Sequence, residues 1–102
     1  ATLRIVGAHP TASVRAWGAV PGVTVTGAVP DLRAEVSRAK VSLCGVPVVV
    51  GAQTKVLEAM ACGTPVVTTP AGNFGIDGVD GRDLYVADSA DRFADRVVDL
   101  LH

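Results

Sequence analysis

Glutamate is nearly missing from this chain. Only Glu35 and Glu58 occur among its ten acids; the rest are aspartates. Cysteine is equally scarce. Cys44 and Cys62 are too few and too far apart to form a metal cluster or a disulfide framework. They read as reduced, buried thiols of a cytoplasmic protein. Excess charge is lacking too. A formal net charge of −1 gives no electrostatic basis for non-specific binding to nucleic acid or to an anionic membrane. No apolar run approaches the roughly 20 residues needed to span a bilayer. The opening Ala1-Thr2-Leu3-Arg4-Ile5 carries no signal-peptide pattern. Histidine occurs twice, as His9 in a Gly-Ala-His-Pro turn and as the terminal His102, with no Ser, Cys or Asp partner at a recognisable spacing. Neither G-x-x-x-x-G-K nor G-x-G-x-x-G is present. No catalytic residue and no metal site is expected. Asp77, Asp80 and Asp83 have the spacing of a calcium loop but lack its ligand order and closing glutamate.

What is present is apolar. With 49% hydrophobic residues over 102 positions, the chain is expected to fold as a single domain, residues 1–102. Short β-branched runs mark strands at Leu3–Val6, Val23–Thr26, Val41–Cys44, Val66–Thr69 and Leu84–Val86. Helices are expected between them. One runs from Pro10 to about Ala19, with Val14 and Trp17 on one face and Trp17 as a core or edge anchor. A second follows Asp31 as its N-cap, and a third runs from about Gln53 to Cys62. Pro70–Asp83 reads as a loop. Ser89 caps an amphipathic last helix with Phe93, Val97, Leu100 and Leu101 inward. Apolar strands alternating with helices imply a three-layer, doubly wound α/β fold with a parallel sheet. Such sheets take ligands beyond the carboxyl ends of their strands.

Glu58 is the acid out of place, set among Leu57, Ala59, Met60 and Ala61. Gly51 feeds the N-terminus of its helix, where backbone N–H groups and the helix dipole favour phosphate. Gln53 and Thr54 fall in the first turn, and Lys55 adds charge. One turn further in, the Glu58 carboxylate is placed to accept hydrogen bonds from vicinal ribose hydroxyls. The competing reading is an i,i+3 surface pair of Lys55 with Glu58, worth about 0.2–0.5 kcal/mol.

The run Lys55-Val56-Leu57-Glu58-Ala59-Met60-Ala61-Cys62-Gly63-Thr64-Pro65-Val66-Val67 closely resembles the signature of GT-B-fold glycosyltransferases of family four (glycosyl transferases group one). "LRIVGAHP", "PGVTVTGAVPDLRAEVSRAKV" and "GRDLYVADSADRFADRVVDLL" resemble other parts of the family's carboxy-terminal, donor-binding domain. The resemblance implies a Rossmann-like domain in which Glu58 binds ribose. The backbone at Gly51, Gln53 and Thr54, with Lys55, lies near the pyrophosphate, and the turn Gly27, Val29, Asp31 near the base. It implies hexose transfer from a UDP-, GDP- or ADP-linked sugar with retention of configuration, without a cofactor or bound metal. The Asp-, Arg-, Ala-, Gly- and Val-rich composition resembles that of a GC-rich bacterial genome.

Where the family's E-x7-E motif has its first acid, this chain has Val50. The match begins at the family's second strand and holds no acceptor domain, so the isolated chain is expected not to transfer sugar. Closing the sheet without a first strand gives five strands in the flavodoxin-like order 2-1-3-4-5, with the first and third as neighbours. A homodimer, or a separate acceptor-domain chain, is expected to cover the apolar surface this leaves. The alternative is a stand-alone module without catalysis that acts through protein association.

Overall fold

The computed structural model describes residues 2–49, 51 and 53–102. They group into two compact units, residues 1–32 and 33–102.

In the first unit, β1 (Leu3–Val6) and β2 (Val23–Gly27) pair in parallel, with Leu3 opposite Val23 and Ile5 opposite Val25. The connection contains α1 (Ala12–Ala16), which tightens into a 3₁₀ turn at Trp17–Ala19. The Thr11 hydroxyl caps α1, accepting from the Val14 N–H at 3.3 Å. Gly22, at φ 84, supplies the left-handed turn before β2. Val14 is half-buried as expected, but Trp17 is 59% exposed and anchors no core. The α-helical stripe ends at Ala16, so Trp17 does not continue the face begun by Val14.

The second unit holds β3 (Ser42–Cys44), β4 (Val66–Thr68) and β5 (Tyr85–Val86), paired in parallel in that order. α2 (Leu32–Arg38) precedes β3, and α3 (Thr54–Ala61) connects β3 to β4. α4 (Pro70–Asn73) and a loop connect β4 to β5, and α5 (Ala90–Leu101) follows. β4 is central and buried along its whole length, which suits its uninterrupted Val-Val-Thr. Val56, Ala59, Val66 and Leu84 form the core, with Val36, Cys44, Met60, Ile76 and Val86 packed against it. Buried Thr64 is satisfied by donating to the Val36 carbonyl at 2.9 Å.

α4 corrects the loop expected over Pro70–Asp83. Thr69 accepts from the Gly72 N–H and Pro70 occupies the first turn, a start signal that overrides the surrounding glycines. Asn73 then closes the following loop, exchanging hydrogen bonds with both the N–H and the C=O of Gly78.

The α/β class and the parallel pairing hold, but the strands form two sheets, of two and three strands, rather than one of five. The expected β1–β3 pairing is the one that fails. Each ladder that forms joins strands consecutive in sequence across a single connection. β1 and β3 are separated by β2 and both of its connections, so their pairing carries the larger loop-closure cost.

Candidate functional site

α3 forms because Lys55, Leu57, Glu58, Ala59, Met60 and Ala61 are all strong helix formers. Val56 and Ala59 are its buried face, at 2% and 0% exposure. Its end is a Schellman motif. The Gly63 N–H donates to Met60 C=O and the Thr64 N–H to Ala59 C=O, each at 3.0 Å, with Gly63 at φ 75. The helix is therefore fixed at its C-terminus and by its buried face, which sets the direction of every other side chain on it.

Glu58 is half-buried on this helix. Among the described residues, no hydrogen bond or ion pair engages its carboxylate, and no buried side-chain oxygen or nitrogen lacks a partner. The carboxylate is thus in contact with water. The surface pair with Lys55 does not form among the described residues, and Lys55 is exposed. Helical side chains in general lean towards the N-terminus, and one turn before Glu58 lie Thr54 and Lys55. There the Val56 N–H donates to the Gln53 carbonyl at 3.0 Å, which leaves the Thr54 and Lys55 N–H groups without an intrahelical acceptor. Gln53, half-buried, is the N-cap residue by position but makes no side-chain capping bond. Gly51 is exposed at φ 105, a conformation that strains any L side chain. Val50 lies outside the described residues.

This arrangement selects ligand chemistry. The helix N-terminus favours acceptors and negative charge, whereas the carboxylate beside it favours hydroxyl donors. A ligand with both, an anionic group next to a diol, satisfies the two together.

The other expected contacts lie in the first unit. Gly27 ends β2 at φ 72 and accepts from the Gly7 N–H at 3.1 Å, which ties the carboxyl ends of β1 and β2. Val29 is half-buried, and Asp31 is exposed at the position preceding α2. A depression of about 580 Å³ is lined by Pro10, Arg15, Gly18 and β2 up to Gly27. A second, of about 310 Å³, lies beside α5 and includes Asp80, Arg92, Asp95 and Arg96. Glu58 lines neither.

Two aspartates of the acidic loop hold backbone N–H groups. Asp80 accepts from the Val86 N–H at 2.9 Å, which ties the loop to β5, and Asp83 accepts from the Val79 N–H at 2.8 Å, which ties the loop to itself. Arg82 pairs with Asp83 at 3.1 Å. Hydrogen bonds from Arg82 and then from the Val79 N–H hold the Asp83 carboxyl below the usual aspartate range. Among the described residues no three His, Cys, Asp or Glu side chains gather as metal ligands. His9 is an exposed turn residue at φ 52. Cys44 and Cys62 are free thiols, each half-buried rather than fully buried.

Parallel strands joined by helices define an α/β protein. The family model for glycosyl transferases group 1 matches residues 1–102, and the chain belongs to that family. No curated protein and no solved structure matches it. Membership of this family implies a sugar-donor substrate. Among the described residues no helix is long and apolar enough to cross a membrane.

Proposed function

We propose that this chain is the nucleotide-sugar donor-binding domain of a retaining, GT-B-type glycosyltransferase of the cytoplasm. Glu58 holds the ribose diol. Gly51, Gln53, Thr54 and Lys55 supply N–H groups and positive charge for the diphosphate. The observation that carries this reading is the Glu58 carboxylate, half-buried on a well-anchored helix with no protein partner among the described residues. Family membership along the whole chain agrees with it. Transfer itself requires an acceptor site, which we assign to a separate domain or chain.

An NMR titration with UDP, GDP and ADP tests the assignment. Saturable shifts at Gly51–Glu58 with one nucleotide are expected. Shifts confined to other residues would place binding elsewhere.

A second reading, association without catalysis, is favoured by exposed apolar side chains in the second unit. Val48, Val49 and Leu57 are 61%, 50% and 47% exposed. If it holds, the chain is a homodimer in sedimentation and indifferent to all three nucleotides.

A further inference from the structure

Beyond Cys44 the chain leaves β3 and runs through Gly45 and Val46 towards the first turn of α3. Its departure is held at both residues by Thr69. The Thr69 N–H donates to Cys44 C=O at 3.1 Å. Its hydroxyl donates to Val46 C=O at 2.5 Å, and the same oxygen accepts from the Gly72 N–H at 3.2 Å. A hydroxyl has one proton and two lone pairs, so it can fasten the loop and cap α4 at once. Gly72 lets the two meet this closely. A Cβ added there would overlap Thr68 Oγ1 and come within 2.9 Å of Cys44 Sγ. The first turn of α4 is therefore seated directly against the end of β3.

We propose that Thr69 is a positioning residue. Its hydroxyl proton clamps the Val46 carbonyl and so sets the course of the β3–α3 loop that brings backbone N–H groups to the donor diphosphate. The clamp rests on geometry; its consequence for the ligand rests on the donor-site reading above.

Capping and clamping separate in Thr69→Asp. An aspartate caps α4 as well as threonine does, but its carboxylate has no proton to give Val46. Thr69→Ser keeps both functions. The expected result for Thr69→Asp is a fall in backbone order parameters across Val46–Val49 from near about 0.85 to below about 0.6. Its affinity for whichever of UDP, GDP and ADP the wild type binds should weaken by about fivefold, the worth of one hydrogen bond. Thr69→Ser should match the wild type in both. A purely capping role leaves Thr69→Asp unchanged and overturns the proposal. Loosening of the loop with undiminished affinity overturns its role towards the donor. A wild type that binds no nucleotide, with Thr69→Asp still loosening the loop, overturns the donor site and leaves the clamp standing. The wild type supplies a check that needs no variant. The Thr69 hydroxyl proton should exchange slowly with water, and fast exchange removes the clamp even if Thr69→Asp does not fold.

Discussion

Gly63 ends α3 in a left-handed conformation, and its two flanking backbone bonds decide where β4 begins. An added Cβ there meets nothing within 4 Å, so Gly63→Ala isolates the backbone cost of φ 75. A loss of about 1–2 kcal/mol is expected in urea unfolding. Asp83 gives a pH prediction. Its carboxyl titrates lower in the folded chain than in the unfolded one, because Arg82 and the Val79 N–H bond its charged form. Its contribution is therefore fully present above the ordinary aspartate value, about 3.9, and disappears as pH falls through the lower folded value. Asp83→Asn should lack that dependence: its unfolding midpoint lies below the wild type's above pH of about 5, and an acid titration should show the difference shrinking as pH falls through the lowered folded value. At this scale the sequence was partly legible. Glu58 stands out because a charge among apolar neighbours needs an explanation; in the structure it is half-buried on α3. Trp17 was misread because its aromatic bulk suggests an anchor, whereas a five-residue helix leaves it no face to bury against.

The helices follow their start and stop signals more closely than their length suggests. Ser89 caps α5 by accepting from the Arg92 N–H at 3.2 Å, and Phe93, Val97, Leu100 and Leu101 are its half-buried stripe. Arg96 lies 5.6 Å from the centre of the Tyr85 ring, which links the polar face of α5 to β5. Ser89→Ala should cost about 1 kcal/mol and lower the thermal midpoint by about 4–8 °C, readable by circular dichroism. Ser89→Asp should retain the wild-type midpoint. The element that escaped the sequence reading is α4, four residues long with a glycine inside it. Helical periodicity is invisible over so short a span, yet Thr69-Pro70 is a cap followed by a first-turn proline, and the signal was there to be weighed. The β5 strand shrank to two residues because Leu84 instead bridges to Asp80 and fills the core.

For the molecule as a whole, what sequence patterning conveys is each strand's partner next along the chain. Apolar runs separated by one helical connection gave three correct parallel pairings, β1 with β2, β3 with β4, and β4 with β5. The β1–β3 pairing had no local signal. It was deduced from a strand order that closes a sheet, and nothing in the residues of β1 or β3 specifies it. The site has the same character. The Gly51–Glu58 segment is continuous in sequence and can be read as one helix N-terminus with one acid. Gly27–Asp31 lies in the other unit, and only family resemblance connects it with a donor ligand. The central claim is that Glu58 holds a nucleotide diol, and calorimetry of the wild type and Glu58→Ala with UDP, GDP and ADP tests it most directly. The account expects one nucleotide to bind the wild type and Glu58→Ala to bind it more than about tenfold more weakly, or about 1.4 kcal/mol, with an unchanged fold. Equal affinity in the two proteins, or no binding to the wild type at millimolar nucleotide, would contradict it.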